Sequence, residues 1–284
     1  MNDIRQTIDY ANYLSKIGWQ VERFAGINYF IKPLALRAPL IKKLFLVGSI
    51  IKIQRPEEIR IQKIRELARK YRALQIIIEP KTQLDARFLS SVGFKSSKNP
   101  FLPTKTLQID LTRSKRKIFR KLKKETRLAI RKTNKLETCE KEIEKEIKDF
   151  RNAWKKAVGL KRYVPSLDHL IRLKKSFKKK SFFLTTKEMS SGAIFLLADS
   201  VAYYWQSFTS KGGRQNLAQY KIVWEGLLWA KKMGARVFDF EGIYDERFPN
   251  KSWLGFTHFK KSFCGYEVEY PGTFIKNLLP FRKL

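Results

Sequence analysis

Two short segments on opposite halves of the chain nearly repeat each other, and this echo constrains the fold more than any other feature. FLSSVGF at 88–94 and FKKSFCGY at 259–266 each read as a short helix that ends on glycine and an aromatic before a strand. The segments ahead of them run along similar lines. In the first half, Ile4, Ile8, Ala11 and Leu14 recur at helical spacing over 3–17. Strands are expected at 19–24, 29–34 and about 43–53, with Ala25-Gly26-Ile27-Asn28 at the first turn. Pro56-Glu57-Glu58 opens a helix to about Arg72, because proline and acids suit a first helical turn. A strand at 74–79 and a short helix at 85–92 follow. The second half offers a meander of strands at 182–187, 193–198 and 201–208, with a tight turn at Asp199-Ser200. Tyr220, Val223, Trp224, Leu227 and Leu228 then mark a helix over about 216–233. A strand at 237–240, a helix at 253–263 and a strand at 267–270 complete the pattern. Two copies of a mixed α/β unit account for this better than one continuous sheet.

Between the halves lies a segment of different character. A strand at 106–111 leads into a strongly basic helix from Ser114 to about Asn134, whose apolar stripe is only Ile118, Leu122, Ala129 and Ile130. Residues 136–157 read as a helix of alternating charge, GLKRYVP at 159–165 as a loop, and 166–179 as another basic helix. Residues 111–180 hold 26 Lys/Arg against 8 Asp/Glu, over half of a net charge of +34. Such a chain has anionic partners: nucleic acid, a phosphorylated substrate or an acidic membrane surface. An aromatic content of 13% excludes a long disordered basic tail. Two cysteines, Cys139 and Cys264, exclude a secreted disulfide scaffold. The N-terminus has no apolar signal region, and the run LFLVGSIIKI is about half the ~20 residues of a membrane span, so the expected location is cytoplasmic.

The catalytic options are few. His169 and His258 are the only histidines, and no CxxC, HExxH or Walker A pattern occurs, so neither a metal site nor a P-loop is expected. His258, beside Phe259 and Phe263, reads as structural. Ser210-Lys211-Gly212-Gly213-Arg214 reads as a loop able to hold a phosphate through backbone N–H groups, a weak signal because such turns are common. Basic and aromatic side chains remain. They suffice to transfer an already activated acyl group to an amine, which needs alignment and stabilisation of one developing oxyanion.

At this point four segments carry a resemblance. PTKTLQIDL (103–111) with KKETRLAIRK (123–132), then WEGLLWAKKMGARVFDFEGI (224–243), then FTHFKKSFCGYEVEYPG (256–272) resemble, in order, the FemABX family of peptidoglycan bridge-forming aminoacyltransferases. The resemblance covers about residues 100–272. It implies an α/β fold of two tandem GCN5-related acyltransferase-like units with mixed sheets and no long coiled-coil arm. The expected division is 1–145 and 146–270, with 271–284 packing back on the first unit. It implies transfer of an amino acid from aminoacyl-tRNA to the stem-peptide amine of a peptidoglycan precursor, UDP-MurNAc-pentapeptide or lipid II, with no cofactor and no metal.

Residue by residue, the family's oxyanion-stabilising lysine matches Lys260; the competing reading is a solvated lysine on an amphipathic helix. Lys261 is rotated about 100° from it, so only one of the two can face the site. Arg162, Tyr163 and Tyr204 are the nearest matches to family contacts with the precursor, the competing reading being ordinary loop charge and strand packing; Asp239 at a strand end either orients partners or is purely structural. Lys117, Arg120, Lys124, Arg127 and Arg131 on the basic helix are expected to cradle the tRNA backbone. Glu241 stands where the family commonly has glycine. The competing functions are an acyl-CoA-dependent N-acyltransferase, which would want a Q/R-x-x-G-x-G/A loop that SKGGRQNL only partly supplies, and a non-catalytic RNA-binding protein. The amphipathic C-terminal segment 272–284 is expected either to pack back on the first unit or to make peripheral contact with the inner face of the membrane.

Overall fold

The periodicities resolve into two mixed sheets in a computed structural model that describes residues 3–37, 44–160 and 162–278. The N-terminal segment is not one helix. A 3-10 turn at Ile4–Gln6 stops at Thr7, whose hydroxyl accepts from the Tyr10 N–H (3.2 Å) and caps α1 (Ile8–Lys16). β1 (Gln20–Phe24) and β2 (Ile27–Arg37) form a hairpin whose turn residues Ala25 and Gly26 both have positive φ, the geometry that matches strand twist. β3 (Leu44–Gln54) pairs antiparallel with β2. The crossover helix α2 (Ile61–Lys70) returns the chain to β4 (Ala73–Glu79), parallel to β3. α3 (Gln83–Ser91) and the short β5 (Lys95–Ser96) follow.

The next part of the chain runs β6 (Lys105–Asp110), α4 (Lys115–Lys121), α5 (Lys124–Lys132), β7 (Thr138–Glu140), α6 (Glu144–Val158) and α7 (Leu167–Phe177). The meander β8 (Ser181–Thr186), β9 (Ser191–Ala198) and β10 (Val201–Thr209) comes next. Then come α8 (Lys211–Gln215), α9 (Ala218–Lys232), β11 (Val237–Asp239), α10 (Leu254–Lys261), β12 (Tyr266–Glu269) and β13 (Phe274–Asn277). The strand orders are β1-β2-β3-β4-β13-β5 in one sheet and β12-β6-β11-β10-β9-β8-β7 in the other.

The two compact units divide at 104/105 and 268/269, not at the 145 boundary read from sequence. The reason is β6, which pairs antiparallel with β11 and so carries α4 and α5 into the unit spanning 105–268. The chain from 269 belongs to the other unit, where β13 pairs with β4 through Phe274↔Ile78 to Asn277↔Gln75. The end of the C-terminal segment, 279–284, lies outside the described residues.

Three further expectations change. The basic helix is broken between α4 and α5, where Leu122 turns extended and is buried. Cationic neighbours give a continuous helix no local support. Ser262 O instead accepts from the Lys123 N–H (3.1 Å) and the Thr126 hydroxyl (3.0 Å), and Arg127 Nη1 donates to Arg120 O (2.9 Å) and Leu122 O (2.5 Å). The alternating-charge helix starts only at Glu144, where Glu146 accepts from the N–H groups of Glu142 and Ile143; the residues before it form β7 against β8. The SKGGR segment is helical rather than a loop, with Ser210 Oγ accepting from the Gly213 N–H (3.1 Å).

The core of the 105–268 unit lies between its sheet and α9, which buries Ile222, Val223, Leu227 and Ala230. Close approach to β6 fixes Gly265: a Cβ there would stand 2.3 Å from Gln108 O. Gly265→Ala is expected to cost about 1–3 kcal/mol, read as a lower urea midpoint. An unchanged midpoint would show that the chain at Gly265 is free to move away from β6.

Candidate active site

The site forms where a parallel strand pair parts. β11 is three residues long and pairs with β10 only from Val201↔Val237 to Tyr203↔Asp239. β10 then bulges against β9 between Tyr204 and Gln206. The chain after β11 turns through two left-handed residues, Glu241 (φ +50°) and Gly242 (φ +111°). A positive φ is costly for glutamate and free for glycine, which gives a physical reason for glycine at this position in the resemblance.

Lys260 enters this turn from α10. Its Nζ donates to Phe240 O (2.7 Å) and Gly242 O (2.6 Å) and lies 4.9 Å from the Phe256 ring and 5.7 Å from the Tyr204 ring. The residue is only 8% exposed, so it is not a solvated helix lysine. Burial drives its pKa down to about 8, the nearby Arg162 charge pushes the same way, and Glu241 and Asp239 oppose them. The helical rotation separates the two lysines as expected. Lys261 turns outward and pairs with Glu267 (2.6 Å), which also holds Lys105 (2.9 Å).

Asp239 holds the turn that holds Lys260. Its Oδ1 accepts from the Thr106 hydroxyl (2.6 Å) and the Glu241 N–H (2.7 Å), and its Oδ2 from Gln108 Nε2 (2.7 Å). Thr106 Oγ1 in turn accepts from the Gly242 N–H (3.1 Å). Burial raises the Asp239 pKa, and Glu241 adds to this. Asp239 is 1% exposed and bonded through both oxygens within the protein, which ties down the 239–242 turn. Thr106, Gln108 and the Phe256 ring were missed from sequence. The period-two alternation of TLQIDL puts Thr106 and Gln108 on the face opposite Leu107 and Ile109, the one signal that could have found the first two.

Tyr204 is buried and accepts from Gln219 Nε2 (2.6 Å). Gln219 Oε1 accepts from the hydroxyls of Ser191 (2.6 Å) and Thr209 (2.8 Å). Burial pushes the Tyr204 phenol up to about 12, so it stays protonated. Arg162 donates to Ser207 O (2.6 Å) and lies against the Trp154 ring (5.7 Å). Tyr163, beside it, is exposed. Lys260, Tyr204, Asp239 and Arg162 therefore meet in one electrostatic neighbourhood, with Tyr163 on its outer loop and Lys261 directed away.

On α4 and α5, Lys117, Arg120, Lys124 and Arg131 are exposed, and Arg131 stacks on Phe119 (5.6 Å). Arg127 differs: its guanidinium is spent on the carbonyls at the end of α4. The helical SKGGR segment packs Gly213 so tightly that a Cβ would lie 2.3 Å from Ser190 O. Its Gly213 N–H is taken by Ser210 Oγ and so is not open to a phosphate. Among the described residues no group of His, Cys, Asp and Glu could hold a metal ion.

Removing the Glu241 charge removes the largest force holding the Lys260 pKa up. In Glu241→Gln that pKa is expected to fall below about 8, followed by NMR titration of the lysine side chain. An unchanged or raised titration would contradict this electrostatic assignment.

The fold has relatives among solved structures. The chain superposes on FemX with a TM-score of 0.77 at 16% identity, covering 98% of this chain and 92% of that one. The C-terminal domain of a putative lysylphosphatidylglycerol synthetase from Agrobacterium fabrum matches at 0.63 and 12% identity, covering 96% and 88%. A tandem GNAT protein from the clavulanic acid biosynthesis pathway matches at 0.50 and 9% identity, covering 92% and 83%. The fold is that of two tandem GCN5-related acyltransferase-like units. No curated protein matches the chain by sequence. The sequence model of the FemAB family matches residues 131–282, more than half of the chain and including every residue that touches the Lys260 ammonium. The chain belongs to the FemAB family.

Proposed function

We propose that this protein transfers an aminoacyl group from aminoacyl-tRNA to the stem-peptide amine of a peptidoglycan precursor, either UDP-MurNAc-pentapeptide or lipid II. The observation that carries the reading is the Lys260 ammonium buried at the parting of β10 and β11. An ammonium has three N–H donors. Phe240 O and Gly242 O take two, and the third is available to an oxygen that becomes negative in the transition state. The attacking amine adds its electron pair to the ester carbonyl carbon, and the carbonyl pair moves onto oxygen beside Lys260. Collapse breaks the bond to the terminal ribose oxygen, which leaves with the proton the amine gives up. In this reading Arg162 and Tyr163 on the outer loop contact the anionic acceptor. Tyr204, protonated and fixed by Gln219, supports the ammonium through its ring face.

The exposed cations of α4 and α5 are the docking surface for the tRNA backbone in this reading. Among the described residues Lys117, Arg120, Lys124 and Arg131 have no acidic partner, and this supports a role toward an outside anion.

The direct test is transfer of a labelled amino acid from a panel of aminoacyl-tRNAs to each acceptor. Transfer to at least one is expected; none to either would overturn the reading. The ammonium form is the active one, so kcat/KM is expected to decline as pH rises through about 8. A rate that keeps rising to pH 10 would contradict it. Lys117→Ala with Lys124→Ala is expected to flatten the slope of log affinity for tRNA against log salt by about 0.7 for each phosphate no longer neutralised. A slope identical to wild type would remove α4 and α5 as the cradle.

A further inference from the structure

A cavity of about 310 Å³ lies within the 105–268 unit, where β6, α4 and the chain from α10 into β12 meet. The proposed chemistry leaves it unused. Its size is at the small end of ligand pockets. Ile118 and Phe263, both buried, give it an apolar floor, and Tyr266, 49% exposed, lines it from the start of β12. Two cations also line it, Arg113 and Lys121. Arg113 donates to Asp110 (3.1 Å), so its charge is balanced inside the protein. Lys121 is exposed and has no acidic partner among the described residues. Lys117, four residues earlier, stands on the same stripe of α4 and is exposed as well. On its inner side the cavity is lined by Gln108, whose Nε2 donates to Asp239 (2.7 Å), so it abuts the turn that holds Lys260.

We infer that this cavity takes one unpaired base of the bound RNA, stacked on Tyr266, with the adjoining phosphate on Lys121. The inference rests on the proposed aminoacyl-tRNA donor and deepens it, by assigning a place to the single strand at the esterified end. An exposed aromatic ring beside an unpaired cation is the combination that holds single-stranded nucleic acid, since every base has a face to stack and every link carries one charge. One uncompensated lysine matches one phosphodiester; a pyrophosphate or a dicarboxylate would find half of its charge unmet. A paired base cannot leave its helix to enter so small a space, whereas an unstacked one can be splayed into it. The stripe of Lys117 and Lys121 brings the backbone past the opening, and the Gln108 wall keeps the held base close to the turn where the ester must lie.

The test is fluorescence anisotropy of the purified chain with a synthetic RNA hairpin that ends in a short 3′ single strand, as the acceptor end of a tRNA does. A matched series of hairpins lacks the base at each single-stranded position in turn. In the wild type, one abasic position is expected to weaken binding at least about fivefold, the usual worth of a base stacked on an aromatic ring. In Tyr266→Ala the same abasic substitution is expected to change nothing, and Tyr266→Phe is expected to restore the wild-type response. Lys121→Ala is expected to flatten the slope of log affinity against log salt by about 0.7, one single-strand phosphate. A series that is flat in the wild type sinks the base pocket without recourse to any variant. So does an abasic position that weakens Tyr266→Ala as much as the wild type. Transfer from aminoacyl-tRNA is measured in parallel. Transfer with a flat series removes the pocket and leaves the proposed function standing; a series coupled to Tyr266 without transfer to either acceptor does the reverse.

Discussion

The candidate site depends on keeping one ammonium out of water. An unpaired buried charge costs several kcal/mol, so the site exists only because the turn after β11 aims two carbonyls at Lys260 Nζ. That turn exists because Asp239, Thr106 and Gln108 tie it to β6, and because residues 241 and 242 accept left-handed backbone. The carboxylate fixes geometry, the carbonyls hold the cation, and burial leaves its pKa at about 8. A lysine poised there can be charged at physiological pH and still be responsive to what binds beside it.

The internal repeat shows what the second unit added. In each unit a parallel strand pair ends on a buried carboxylate: Glu79 opposite Gln54, and Asp239 opposite Tyr203. In each the carboxylate is held by a hydroxyl, Thr273 for Glu79 and Thr106 for Asp239. In each a short helix ends on a left-handed residue, Gly93 or Cys264. Four residues before those, one unit has Leu89, fully buried, and the other has Lys260. One framework thus serves as plain core in one copy and as a cation site in the other.

Much of this was legible in the sequence, and the failures have physical causes. The echo of 88–94 in 259–266 pointed to two units, and the F-K match pointed to Lys260. The helical rotation said that Lys260 and Lys261 diverge, but only packing on the 240–242 turn decides which one is buried. The boundary at 145 failed because β6 joins β11 through long-range pairing that no local pattern announces. The basic helix read as continuous because periodicity does not register the Ser262 carbonyl that replaces its internal bonds. Arg127 looked like any other cation of that helix, and its role at the end of α4 follows from the break itself. β7 hid in a run of alternating charge whose helical signal holds only from Glu144 onward.

The central claim is that chemistry occurs at the Lys260 ammonium. It is tested most directly by single-turnover transfer in Lys260→Met, with acceptor and aminoacyl-tRNA both bound before reaction. The account predicts a rate lower by about 10²–10³-fold, the usual effect of losing one oxyanion donor, with tRNA affinity unchanged. A single-turnover rate equal to wild type would contradict it and move the oxyanion role to another donor.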